Sequence, residues 1–334
     1  MKNKLFLLLI ISFSIIFISC GSSDNNDVKL ELGNVFVSSN LTPIIGIYDF
    51  TGSSNEPESL QFGISSSDSD GIYYDSASDR LFLASRSNNR VEVYSGLTET
   101  ELNANLTLEV SSSQDFSNAR KLTVSGNNII ISQDAGPSNN EENRFFVYTF
   151  NNGSLTLANT YDPQINLWDV QFAGGTAYAI QDNSDTLAVF NNLLNKNSGV
   201  VTADQKVQIE GIVRTHAQYY SVSEDIMFLS DIGDADSGTD GAIHIIADFS
   251  TKLSAAGVNG MIALSDQIVI KGSNTELGNP VGLSYDVDNE KIYVAERKVE
   301  GGKLLEFDLP STGGNLSPSS SINFSGAAAV YFAN

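Results

Sequence analysis

Along Gly71–Tyr94 short apolar stretches alternate with polar ones. Ile72-Tyr73-Tyr74, Leu81-Phe82-Leu83-Ala84 and Val91-Glu92-Val93-Tyr94 are rich in β-branched and aromatic residues. Asp75–Asp79 and Ser87–Asn89, between them, are residues that tight turns select. This pattern predicts three antiparallel strands in a meander. It returns 211 residues later, where Gly282–Ala295 matches Gly71–Ala84 class for class without a gap.

Taking the leading apolar residue of each first strand as a marker, the repeat runs through Ile72, Leu122, Val170, Tyr220, Leu283 and Val330, in steps of 50, 48, 50, 63 and 47 residues. A period of this length with four strands is the signature of a β-propeller, whose blades bury their faces only against one another. The expected fold over residues 34–334 is all-β, with six four-stranded blades. The long fifth repeat, carrying the loop Asp231–Gly241 and the small-residue segment Ser254–Gly260, leaves seven open. The fourth blade is expected to end on an outer strand Val200–Ile209. The first blade has only Asn34–Ser39, Ile44–Phe50 and Ser59–Ile64, and Ala328–Ala333 ends the chain as an unaccompanied inner strand. Pairing the two ends would close the ring and remove its open edges.

The N-terminus reads differently. Two lysines within Met1–Lys4 precede the apolar run Leu5–Ile18. As a helix this run would reach roughly 21 Å, short of the roughly 30 Å hydrocarbon core, so residues 1–19 read as a signal peptide rather than a span. Ile18-Ser19-Cys20-Gly21, around the single cysteine, resembles the lipobox of bacterial lipoproteins. That resemblance implies cleavage before Cys20, its lipidation and a membrane anchor. Residues 20–33 then form a polar tether. Its acidic start, Gly21–Val28, is a plain linker or, by resemblance, the export signal that sends Bacteroidota lipoproteins to the outer face of the outer membrane.

With 40 acidic against 18 basic residues and a formal charge of -22, the chain lacks the Lys/Arg clusters that nucleic acid or an anionic lipid surface would need. No nucleophile elbow, phosphate loop or cysteine cluster is present, and two histidines, His216 and His244, restrict the catalytic arrangements available.

Four residues before the markers stand Asp68, Asn118, Asn166, His216, Asn279 and Gly326. In a propeller this is the turn leading into the inner strand, so these side chains are expected around the mouth of the central channel. They suit turn formation, but Asp68, Asn118, His216 and Asn279 could also ligate a divalent cation, with oxygen donors favouring Ca²⁺ or Mg²⁺ and the imidazole admitting Zn²⁺. Asp231, Asp234, Asp236 and Asp240 form a second candidate cation loop, or a solvated acidic one, without the EF-hand spacing. Trp168, the only tryptophan, sits where it could stack on a ligand or pack between blades.

The placement of these turn residues resembles the metal site of six-bladed lactonases of the gluconolactonase/SMP-30 type. Asn118 and Asn279 match it best, and the Glu-Gly-Pro motif of that family is absent. The repeats as a whole resemble the NHL/YVTN-type class of bacterial propellers, in which fold does not fix function. The expected function is a recognition module anchored by lipid to the outer membrane, facing the cell surface or the periplasm, that presents its channel face to a polysaccharide, peptide or protein; the sequence leans away from an enzyme without deciding it. The alternative is a metal-dependent, lactonase-like hydrolase with its site at the channel mouth.

Overall fold

The computed structural model describes residues 34–50 and 57–333. The expected signal peptide, Cys20 and the expected tether lie outside the described residues.

Six sheets make a six-bladed propeller, each built on four antiparallel strands from axis to rim. The second blade shows why the sequence folds this way. Its strands Ser69–Asp75, Arg80–Ser85, Arg90–Ser95 and Thr107–Ser111 alternate with tight turns, and each pairs antiparallel with the next. In the first turn the Asp75 carboxylate accepts the Ala77 N–H and the Ser78 hydroxyl, and Asp79 takes a left-handed conformation (φ 49°). Asp286 does the same in blade six, accepting the N–H groups of Asp288 and Asn289, with Glu290 left-handed (φ 52°). Local turn chemistry thus accounts for the sequence match between these two repeats.

The blades hold together through cores between neighbours. Phe36, Phe62, Ile72 and Leu83 join blades one and two, and Phe228, Tyr285, Ile292 and Phe307 join blades five and six. Neighbouring inner strands do not share a backbone ladder, so polar side chains clamp them. Thr123 accepts the Phe172 N–H, Gln171 both accepts from and donates to the Tyr220 backbone, and Ser284 accepts the Phe332 N–H.

The ring closes as expected: Ala327–Phe332 pairs with Asn34–Ser39 and supplies the inner strand of blade one. The long fifth repeat adds no seventh blade. Its insertion forms an α-helix, Phe249–Ala256, whose Phe249 packs on Tyr178 and Tyr220. A short strand, Gly260–Ile262, then joins blade four in parallel with Gln205–Ile209. The expected strand Val200–Ile209 is in fact two. Gly199–Val200 pairs with blade three, and only Gln205–Ile209 belongs to blade four.

A further difference concerns the register of blade five. Leu122 pairs opposite Ile131 and Leu283 opposite Val294; the residue in that place in blade five, opposite Leu229, is Gln218, not Tyr220. The lead-in turn confirms the shift of two residues. In the other five blades the first N–H beyond the second strand bonds to the carbonyl of Asp68, Asn118, Asn166, Asn279 or Gly326, and in blade five it bonds to Arg214. Tyr220 misleads because the true marker position holds a glutamine, whose amide donates to the Tyr178 carbonyl of blade four instead of packing as an apolar residue.

Deleting Gly326–Asn334 should open both blade one and the ring. Val330, Ala329 and Ala333 are buried there, and burial of each large apolar side chain is worth about 1.5–3 kcal/mol. The truncated chain is expected to aggregate or to melt well below the parent by circular dichroism. An unchanged melting temperature would show that the ring does not depend on this strand.

Candidate functional site

In five of the six inner strands a β-bulge interrupts the ladder just before the marker, at Gly71, Arg120, Trp168–Asp169, Val281 and Ala328. A bulge turns a side chain out of the blade face and leaves a carbonyl outside the ladder. On the face where the inner strands begin, called the upper face below, the residues two before the markers form a ring of one per blade: Asp70, Arg120, Trp168, His216, Val281 and Ala328.

Four of these are in contact around the mouth. The Arg120 guanidinium stands 4.0 Å from the Trp168 ring centre and 4.0 Å from Asp70. The Trp168 indole stacks on the His216 imidazole at 3.7 Å, with the planes within 8°. Both faces of Trp168 are therefore covered by the chain's own groups, and the indole is not an open stacking platform. Carboxylates hold the cations in place. Asp134 accepts two bonds from Arg120, and Asp182 accepts two from Arg214 and one from His216. Arg86 reaches Asp68, Asp70 and, at 3.1 Å, the Asn118 side-chain oxygen.

The predicted residues share this face without sharing one pocket. Asp68 and Asn118 line a recess of about 310 Å³ between blades two and three, together with Arg86. Asn166 is exposed in a separate hollow beside Glu142 and Lys206. Asn279 donates its N–H to the buried Glu296 carboxylate. His216 lies two residues nearer the axis than the turn position, which Arg214 occupies instead. Asn118 has φ 54°, so its type also suits a left-handed turn.

These residues do not fit a divalent cation. Asp68 and Asn118 already converge on the Arg86 guanidinium, which occupies the place a metal would take. His216 points its Nε2 at Asp182, in a different blade. In the loop Asp231–Gly241 the carboxylates diverge: Asp231 is buried and accepts the Arg214 and Gly233 N–H groups, Asp240 accepts the Asp234 N–H, and Asp236 faces solvent near Lys298. The loop does border the upper face, packing against Leu277 and Gly278 of blade six.

The electrostatics follow from burial. Burial raises Asp68, against the lowering effect of Arg86, Arg120 and Arg297 nearby. Burial would raise Asp182 too, but the bonds from His216 and Arg214 overcome it and hold that carboxyl well below the usual range. His216 is lowered to about 4, chiefly by burial, so it is neutral at pH 7. A carboxylate only accepts, so the His216 hydrogen lies on Nε2 and leaves Nδ1 a buried acceptor without a partner. Arg86 Nε, a donor, and Thr215 Oγ1 and Asn279 Oδ1 are likewise buried without partners on this face.

Sequence reasoning named Trp168 and His216 but missed Arg86, Arg120, Asp70, Asp182 and Arg214. For Asp70 and Arg120 the signal lay two residues before the marker; Arg86 and Asp182 directly follow the second strands of blades two and four, and Arg214 stands in the lead-in turn of blade five, where the slipped register hid it.

Known proteins add fold. No protein-family model matches the chain, and no curated protein matches its sequence. Among solved structures it is similar to a chain of a nidogen/laminin complex, with TM-score 0.62 and 10% identity over 90% of this chain and 98% of that one. It is also similar to a putative 6-phosphogluconolactonase from Bacteroides fragilis, with TM-score 0.54 and 12% identity over 90% and 98%. At these identities the likeness is one of architecture.

The depressed His216 value sets a pH dependence. Between pH 6.5 and about 4 the unfolded chain takes up a proton that the folded chain refuses, so the stability tied to His216 is full above 6.5 and is lost as pH falls through that window. The whole effect is on the order of 3 kcal/mol. Melting curves from pH 7 to 4 should show a flatter decline for His216→Phe than for the parent. Parallel curves would mean that the folded protein takes up the His216 proton as readily as the unfolded chain does.

Proposed function

We propose that the protein is a binding module that engages a protein partner at its upper channel mouth, tethered to a membrane surface through a lipid on Cys20. The observation that carries the reading is the braced cluster of Arg86, Arg120, Trp168, His216 and Arg214. Six of the seven arginines, all but Arg80, stand at this end of the blades, and Arg86, Arg120 and Arg214 converge on the mouth. Arginines held rigid before contact are what strong protein interfaces use as anchors, because little side-chain entropy remains to be lost; Trp168, covered on both faces, serves here as the brace that holds Arg120. The buried polar atoms left without partners give an incoming chain further bonds to complete. Arg86, Arg120 and Arg214 are matched here by Asp68, Asp70, Asp134 and Asp182, so the centre suits a partner surface that offers both acceptors and donors.

The second reading, a lactonase-like hydrolase at the same mouth, has the fold likeness to the putative 6-phosphogluconolactonase in its favour, together with arginines suited to an anionic substrate. Against it, the imidazole is neutral, buried and engaged with Asp182, and no nucleophile lies on its free nitrogen among the described residues.

A photo-crosslinking residue placed at the exposed Asn166 in cells is expected to give one discrete protein adduct, abolished by Arg120→Glu. The same probe at Ala77, on the opposite face, should give none. Adducts from Ala77 alone, or turnover of 6-phosphogluconolactone by the purified protein that Arg120→Glu abolishes, would overturn the binding reading. For the anchor, Cys20→Ala is expected to abolish fatty-acid labelling and partitioning into detergent phase; unchanged partitioning would exclude lipid attachment at this residue.

A further inference from the structure

Below the mouth the channel is crossed by one side chain. Lys121, next to Arg120 at the bulge of blade three, reaches over the axis to blades six and one. Its ammonium donates to the Val281 carbonyl at 2.6 Å and to the Ala328 carbonyl at 3.0 Å, both of them bulge carbonyls. Beneath this tie the channel widens into a cavity of about 220 Å³, which Asp169, Gln218 and Lys121 all line. Its walls combine the aliphatic Ile72, Leu122, Val170, Leu283 and Val330 with Thr123, Gln171 and Ser284, whose side chains are engaged with neighbouring backbone. It opens downward past Tyr73, Tyr219 and Tyr331, which it shares with a second recess of about 230 Å³ on the lower face.

The inner end of this cavity has bonding capacity that the protein does not use. An ammonium carries three donors, and Lys121 spends two. Asp169 accepts backbone N–H bonds from Gln218 and Val170, fewer than a carboxylate's two oxygens can take. It feels the charge of Lys121, yet no direct ion pair joins the two among the described residues. Gln218, 5% exposed, gives its amide N–H to Tyr178, and its Oε1 is buried with no partner. One donor and at least two acceptors therefore remain. A ligand bearing a carboxylate would meet Asp169, and one bearing an ammonium would meet Lys121. A primary carboxamide, with one acceptor oxygen and two N–H donors, complements the set without placing a charge.

We propose that this lower axial cavity is a binding site for a small uncharged molecule with a primary carboxamide at its buried end and a compact apolar or aromatic body against the aliphatic part of the wall and the tyrosine rim. The site is separate from the upper mouth, because the Lys121 tie and the Arg120–Trp168 layer lie between them. Burial raises Asp169 to about 6, so at neutral pH it remains a charged acceptor for the amide N–H.

Benzamide is the probe. Titrated calorimetrically into the full-length chain in mild detergent at pH 7.5, it is expected to bind, with benzoate and benzylamine at least ~10-fold weaker because each buries an unmatched charge. Gln218→Met, which keeps length and removes the acceptor, should weaken benzamide roughly 3- to 10-fold. In the unaltered protein, nuclear Overhauser contacts should run from the benzamide ring to Tyr73 and Tyr331; should the variant not fold, these contacts decide the matter. Absence of benzamide binding, equal affinity for benzoate or benzylamine, or contacts to Trp168 instead of the tyrosines would overturn the proposal. None of these results bears on partner binding at the upper face.

Discussion

The pairing of Ala327–Phe332 with Asn34–Ser39 is the interaction on which the rest depends. A small twisted sheet cannot bury its faces alone, so each blade is stable only between two others, and a ring of them is stable only when its last gap is filled. Because that strand is contributed from the far end of the chain, the axis of the molecule is assembled from residues hundreds of positions apart. Lys121 shows the consequence: its two acceptors, in blades six and one, come into place only once the ring has closed.

The bulges turn that geometry into chemistry. By displacing one or two residues just before the marker in five blades they aim Arg120 and Trp168 across the mouth and free the Val281 and Ala328 carbonyls to bind Lys121. The same irregularity thus builds the upper cluster and seals it from the cavity beneath. The upper face carries arginines braced by carboxylates at its centre, whereas the lower opening is tyrosine-lined. One ring therefore presents two chemically distinct ends.

Much of the architecture was legible in the sequence because it is written locally. Asp75 and Asp286 make the same turns from the same side-chain bonds, and β-branched and aromatic runs mark the strands between them. The unmatched strands at the two ends required closure on general grounds, since an exposed sheet edge is a liability. The slip at blade five had a specific cause: Gln218 occupies an apolar position because its amide finds a carbonyl on the neighbouring blade, a contact between repeats that no pattern within a repeat reveals.

The site was legible only in part, for the same reason. Sequence placed Asp68, Asn118, Asn166 and Asn279 correctly in the lead-in turns, because turn propensity is a property of a few adjacent residues. It did not show that Arg86 would fill the space between Asp68 and Asn118, that Arg120 and His216 would cover both faces of Trp168, or that Lys121 would cross the channel. Those outcomes depend on bulges and on the radial arrangement of blades. Local sequence determined the strands, the turns and the closed ring; tertiary structure decided which charges meet, because only the closed ring brings one residue of every blade to a common axis.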